Sequence, residues 1–390
     1  MAATVVFDQS YDTKEKEMRF VLTCGGTAGH VNPALAVAGR LRELMPESEF
    51  LFLGAEGKME MDLVPRAGYE IRGLKITNIS RERSLSGMLH NVETVKNVLA
   101  SEHAAKKILK DFKPDAVIGT GGYVCYPVLS AAVKLHIPTL VHESNALPGL
   151  TTRMLADKVD AILVGFEESR QHYPDPEKVT VTGTPVRGEF ARYTKDSAKA
   201  ELGLDPHLPL VVSVWGSLGS GHMNGILTQM LPKMKGQGRY RLIHSVGSRD
   251  YKEFQAALAR QKLDPADCNV DTREYIFDMP RVMAAADLIL CRAGASTLAE
   301  LTYMGKPVVI VPSPNVTDNH QEKNARVLER AGGAKVFLEG EFDADSLLAE
   351  IERLLQSPEE LNAMSKAMAA LSVPDATDKM VDKILNLTRK

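Results

Sequence analysis

Met18-Arg-Phe-Val-Leu-Thr-Cys-Gly-Gly-Thr-Ala-Gly-His-Val-Asn-Pro-Ala-Leu-Ala36 is the stretch that decides the fold. Arg19–Thr23 is a short run of β-forming residues that stops at a cysteine and two glycines. Glycine directly after a strand lets the backbone turn sharply and brings bare N–H groups toward a ligand. A helix starting behind such a turn adds partial positive charge, which suits a phosphate. Asn32 is placed to cap that helix and Pro33 to be its first residue, with Leu35, Ala38, Leu41 and Met45 recurring at helical spacing over Ala34–Met45. Strand, glycine turn and helix in this order open a parallel α/β sheet.

Outward from this stretch, further β-rich runs alternate with helical patterns: Glu49–Leu53, Ala116–Ile118, Thr139–His142 and Ala161–Val164. The pattern then restarts at Leu210-Val-Val-Ser-Val-Trp-Gly-Ser-Leu-Gly-Ser-Gly-His222 and continues through Arg241–Ser245, Asp287–Leu290 and Pro307–Val311. The spacing predicts two doubly wound α/β domains in tandem, joined near Gly183–Glu189. The expected boundaries are a polar extension over 1–17, a first domain over 18–183 and a second over 184–373. Residues 374–390 form a closing helix with Met380, Val381, Ile384 and Leu385 on one face.

Bulk properties narrow the classes. The 390 residues suit two domains of ordinary size. A formal net charge of -3 gives no global pull toward nucleic acid, so an anion site has to be built locally. Cys24, Cys125, Cys268 and Cys291 are widely separated, which offers neither a zinc pair nor a disulfide framework and fits a reducing cytoplasm. The first twenty residues lack the order of a signal peptide, and no apolar run approaches the ~20 residues of a membrane span. Membrane contact, if any, is expected to be peripheral and from the cytoplasmic side.

Two more glycine turns follow apolar strands: Gly119-Thr-Gly-Gly-Tyr-Val124 and Trp215-Gly-Ser-Leu-Gly-Ser-Gly-His222. Ligands of open α/β sheets bind outside the strand C-termini, so these turns point to phosphate binding. None matches G-x-G-x-x-G followed by a ribose-binding acid, which argues against a dinucleotide-dependent oxidoreductase. Cys291-Arg-Ala-Gly-Ala-Ser-Thr-Leu-Ala-Glu300 reads as strand, turn and helix. Thr297 and Glu300 either form a capping box, or leave the helix start for a diphosphate and Glu300 for ribose hydroxyls. Asp318-Asn-His-Gln-Glu-Lys-Asn324 is either a solvated loop or a set of donors and acceptors, His320 and Gln321 among them, for sugar hydroxyls. His142-Glu-Ser-Asn145 stands at a strand C-terminus, on the binding edge of the sheet. His30 is either a base or a structural hydrogen-bonder.

In sequence order, GGTAGHVNPALA, GTGGYVCYP, HESN, GTPVR, GSLGS, CRAGASTLAE and NHQEKNA span Gly25 to Ala325. Together they resemble the MurG family, the UDP-N-acetylglucosamine:lipid I N-acetylglucosaminyltransferases of glycosyltransferase family 28. The resemblance implies a GT-B fold, two Rossmann-like domains facing across a cleft, and an inverting transfer of N-acetylglucosamine to a muramyl lipid without a cofactor. It implies that Ile276 pairs with uracil and that Glu300 holds the ribose. It implies that Ser217 and the turn at Ala295, Ser296 and Thr297 hold the phosphates, with Leu298 and Ala299 also among the UDP-N-acetylglucosamine-binding positions. Gln321 and His320 read the sugar. Thr27, Ala28, Gly29, Asn145 and Arg187 match donor-contacting positions, while Gly25, Gly26, Gly121, Gly122 and Tyr123 form turns for the acceptor diphosphate. The chain departs from the family at Ala28 and Trp215, where glycine is usual, and at Ser144 and His320, where glutamine is.

For the chemistry, His30 and Glu143 are the candidate bases, with no metal expected. A lipid acceptor implies an anionic membrane surface as partner, and Lys75, Arg81 and Arg83 among Ile76, Ile79, Leu85, Met88 and Leu89 offer a mixed basic and apolar face for it. The alternatives are a related glycolipid glycosyltransferase with another sugar or acceptor, and a non-catalytic nucleotide-sugar-binding module.

Overall fold

The computed structural model describes residues 17–76, 85–216, 218–316 and 319–389. The chain divides into two compact units, one holding residues up to Arg187 together with Asp375 onward, the other Gly188–Pro374.

The first unit is built on a seven-stranded sheet. Its strands are β1 (Arg19–Thr23), β2 (Glu49–Ala55), β3 (Glu70–Leu74), β4 (Ala116–Gly119), β5 (Thr139–Glu143), β6 (Ala161–Val164) and β7 (Val179–Val181). They lie in the order β3-β2-β1-β4-β5-β6-β7, and every pairing is parallel. Side chains alternate between the faces, as the period of two requires. Val21, Leu51, Val117 and Val141 join one core layer, whereas Phe20, Leu22, Phe52, Ile118 and Leu140 join the other. That second layer is completed by helix Ala28–Leu44 and by helix Ala376–Leu387, whose Met380, Val381, Ile384 and Leu385 are buried in it. Asp378 also accepts from Arg40 at 2.7 Å.

The second unit carries a six-stranded parallel sheet in the order β10-β9-β8-β11-β12-β13. Its strands are β8 (Leu210–Val214), β9 (Arg241–Ser245), β10 (Val270–Arg273), β11 (Leu288–Cys291), β12 (Val308–Ile310) and β13 (Ala334–Val336). Central strands such as β8 and β11 are buried along their whole length, which is why they read as continuous apolar runs. Each sheet reverses its strand order once, between β1 and β4 in the first unit and between β8 and β11 in the second. These are two Rossmann-like doubly wound domains of the GT-B class.

The first helix differs from the expectation. It begins at Ala28, so Asn32 does not cap it and Pro33 lies inside it. Thr27 is extended, with φ -146° and ψ 153°, and provides the N-cap backbone. The helix therefore starts directly on the glycine turn, and Ala28 needs no left-handed backbone.

Candidate active site

In the first unit Thr23 pairs with Gly119, so β1 and β4 end side by side and their glycine turns grow from neighbouring points. Gly25 N–H donates to Gly121 O at 3.2 Å, and Thr120 N–H to Thr23 O at 3.0 Å. Gly121 and Gly122 have φ of +114° and +92°, conformations that disfavour any other residue. A Cβ on Gly122 would run into the Gly25 backbone, and one on Gly121 would meet His30 Cδ2 at 2.5 Å. The glycines let one turn lie on the other, with the imidazole against them.

The His30 ring is fixed by its surroundings. Nδ1 lies 2.9 Å from Gly25 O. A carbonyl only accepts, so the hydrogen-bond network assigns the proton to Nδ1 and the lone pair to Nε2. Among the described residues Nε2 has no protein partner. Thr120 Oγ1 donates to His30 O at 2.7 Å, which ties the residue's backbone to the second turn.

Gly25 and Gly26 do not offer their amides to a diphosphate as expected. Gly25 N–H is used by Gly121, and Gly26 N–H donates to Glu60 Oε2 at 3.0 Å. Glu60 is fully buried beneath the turn, and its Oε1 also accepts from Ala55 N–H at 3.0 Å. Donors toward a ligand are instead the first-turn amides at Ala28 and Gly29, which have no partner within their helix. Tyr123 lies over the turn, 3.7 Å from where a Gly26 Cβ would be, and burial followed by the nearby Glu60 raises its phenol above the usual range. The Cys125 thiol below is pushed up to about 12 by burial, so it is no nucleophile.

Glu143 is buried and fully engaged. Oε1 accepts from Asn145 N–H at 3.0 Å and Asn145 Nδ2 at 2.9 Å, and Oε2 from Gly149 N–H and Thr152 Oγ1, both at 2.9 Å. This carboxylate braces the loop that carries Asn145. His142 Nε2 donates to Gly183 O at 2.9 Å, and burial lowers its pKa, so it is neutral scaffolding. Arg187 is the half-buried last residue of this unit's first segment. In the stretch 72–90, Ile79, Arg81 and Arg83 lie outside the described residues, as do the side chains of Leu85, Met88 and Leu89. Lys75 is exposed, but Ile76 is buried in the core and does not face solvent.

In the second unit Cys291 pairs with Val214, which brings the β8 and β11 turns together. Ser217 lies outside the described residues. Gly294 is the N-cap of helix Ala295–Tyr303, and no side chain caps it, so Thr297 and Glu300 form no capping box. The amides of Ala295, Ser296 and Thr297 form the helix's open first turn. Leu298 N–H donates to Gly294 O at 3.0 Å with its side chain in the core, and Ala299 lies inside the same helix. Glu300 is buried on the same helix. Gln321 Oε1 accepts from Ala293 N–H at 3.2 Å and Ser313 N–H at 2.9 Å, so the amide nitrogen is the end left for other partners. His320 opens helix His320–Arg330 beside it. Ile276 is buried, with Phe277 exposed next to it.

Three features of this unit stand outside the residues read as its site. Arg292 ties the turns together, donating to Ser220 Oγ at 2.8 Å and to Val311 O at 2.9 Å while pairing with Glu339. Trp215 Nε1 donates to Ser213 Oγ at 2.8 Å, and that hydroxyl lies 2.9 Å from His244 Nδ1. His244 Nε2 then reaches Asn224 Oδ1 at 2.9 Å, which completes a buried line of bonds beneath the turn. Asp343-Ala-Asp345 is a D-x-D triplet with structural partners: Asp343 caps helix Ala344–Leu355 and Asp345 pairs with Lys233.

Comparison with known proteins agrees with this architecture. Residues 20–164 match the glycosyltransferase family 28 N-terminal domain, and residues 210–380 match the C-terminal domain of the same family. The chain is 40% identical over 372 residues to the UDP-N-acetylglucosamine--N-acetylmuramyl-(pentapeptide) pyrophosphoryl-undecaprenol N-acetylglucosamine transferase of Acetivibrio thermocellus, covering 95% of this chain and 99% of that one. It is 41% identical to the protein of the same name from Caldanaerobacter subterraneus, over 95% and 100%. Among solved structures, Acinetobacter baumannii MurG aligns with a TM-score of 0.68 at 28% identity, over 95% and 99% of the two chains. The chain belongs to glycosyltransferase family 28, among the MurG N-acetylglucosaminyltransferases.

Proposed function

We propose that this chain transfers N-acetylglucosamine from UDP-N-acetylglucosamine to the 4-hydroxyl of the muramyl sugar of lipid I, with inversion at the anomeric carbon. The observation that carries the reading is the 40% identity to a transferase of that name across 99% of its length. In this reading the second unit holds the donor. Ile276 meets uracil through its backbone and Glu300 accepts from the ribose hydroxyls. Ser217 and the amides of Ala295, Ser296 and Thr297 take the diphosphate, and Gln321 Nε2 with His320 reads the sugar. From the first unit, Thr27, Ala28, Gly29, Asn145 and Arg187 contribute donor contacts, and Gly121, Gly122 and Tyr123 line the acceptor side.

The muramyl hydroxyl attacks the anomeric carbon as the bond to the UDP oxygen breaks, through a transition state of oxocarbenium character. The departing diphosphate gains negative charge, which the positive end of helix Ala295–Tyr303 stabilises. His30 Nε2, the nitrogen with the lone pair, takes the hydroxyl proton. Glu143 serves the same site by holding Asn145, since all four of its acceptor positions are filled.

No helix among the described residues is long and apolar enough to cross a membrane. We infer that the enzyme meets the cytoplasmic face of the membrane peripherally through its first unit. Exposed Leu150 and Met154, one turn apart with Arg153 between them, support this, as does the exposure of Lys75.

The test is UDP release with a lipid I analogue and a panel of UDP-sugars. UDP-N-acetylglucosamine should support acceptor-dependent release at least about tenfold faster than UDP-glucose or UDP-galactose. Equal rates across the panel, or release that ignores the acceptor, would reject the proposal.

A further inference from the structure

Glu60 and His30 grip the two ends of one peptide unit. The unit between Gly25 and Gly26 is planar and trans, so its C=O and N–H point in opposite directions. Its N–H donates to Glu60 Oε2 at 3.0 Å, and its C=O accepts from His30 Nδ1 at 2.9 Å. We propose that Glu60 is a positioning residue for His30, acting through this peptide as the carboxylate of a Ser-His-Asp triad acts directly on its histidine. The inference rests on the reading of His30 as the base.

The space for Glu60 is built into the fold. A Cβ on Gly54 would lie 2.6 Å from Glu60 Cγ, and a Cβ on Gly25 would collide with the carboxylate. Glycines at the ends of two different strands thus clear one slot, and the side chain in it has no exposure. Among the described residues no Lys, Arg or His pairs with Glu60. Its acceptors are spent on two backbone amides, Ala55 N–H behind it and Gly26 N–H in front. An acceptor on the N–H side of a peptide polarises it and strengthens the carbonyl on the other side. It also stops the peptide from flipping. A flipped peptide would present N–H to the imidazole, select the Nε2–H tautomer and leave no lone pair for the sugar hydroxyl. The carboxylate therefore sets the tautomer of a ring it never touches.

Glu60→Gln tests this in the full chain. A glutamine offers one acceptor oxygen where two amides need one each, so the Gly25–Gly26 peptide loses its hold. Nitrogen NMR of labelled histidine should give the Nδ1–H tautomer for His30 in the unmodified protein and a shift toward Nε2–H in Glu60→Gln. Turnover should fall about 10–100-fold, the range for losing an orienting partner, with KM for UDP-N-acetylglucosamine within about threefold. In a double-mutant cycle, Glu60→Gln should add little to the loss in His30→Ala. An unchanged tautomer, or fully additive losses, would overturn the proposal. If His30→Ala alone costs less than about tenfold, the base assignment fails while the tautomer measurement still decides the role of Glu60. If Glu60→Gln does not fold, hydrogen exchange in the unmodified protein decides. A Gly26 amide as protected as its buried neighbours sustains the proposal, and one that exchanges like open loop rejects it.

Discussion

Replacing Glu143 by glutamine separates a brace from a base. In the best arrangement, the amide oxygen keeps both bonds from Asn145 and the amide nitrogen turns toward Gly149 and Thr152. The Thr152 hydroxyl can rotate and accept, but Gly149 N–H is left facing a donor inside the protein, which costs about 1–3 kcal/mol. The two bonds retained lose their ionic assistance, about 1 kcal/mol each. Glu143→Gln should therefore destabilise the first unit by roughly 3–5 kcal/mol, and at about 2–4 °C per kcal/mol its unfolding midpoint should fall by about 6–20 °C. Calorimetry measures this directly, and turnover should drop alongside because Asn145 is no longer held. A variant with an unmoved midpoint that has lost turnover a hundredfold or more would refute the brace and return Glu143 to the proton-transfer step.

Two further outcomes follow from the geometry. Gly122→Ala places a Cβ at φ +92° and against the Gly25 backbone, so the first unit should lose about 2–4 kcal/mol in a urea titration and turnover at least tenfold; a variant of full stability and rate would show that the two turns do not rest on each other. His244 is fully buried with its pKa lowered to about 3, so the unfolded chain takes up its proton near the ordinary histidine value while the folded chain resists. Acid then favours unfolding: between about pH 6 and pH 4 the second unit should lose up to about 1.4 kcal/mol per pH unit from this group, and His244→Gln should flatten that slope. An identical slope in the variant would place the histidine's proton uptake elsewhere.

The strands legible in the sequence were those with neighbours on both sides. The four that went unread, β3, β7, β10 and β13, are the four sheet edges. Their burial is partial, so Glu70–Leu74 or Val270–Arg273 shows no continuous apolar run. At the site, the glycine turns were readable because only glycine fits their backbone. What the turns do with their amides was not, since Glu60 lies thirty-four positions from Gly26 and a lone glutamate opening a short helix looks like any solvent-facing residue. Trp215, which stands where the family usually has glycine, is accommodated by Ser213 and the line of bonds behind it.

The helix Ala376–Leu387 completes a hydrophobic layer whose other members were laid down more than two hundred residues earlier. During translation the Val31–Leu41 face must wait for Met380–Leu385 to leave the ribosome, while the whole second unit emerges in between. The later-encoded unit can therefore finish folding first, and nascent chains stalled before residue 380 would carry a greasy, chaperone-attracting surface on the earlier one.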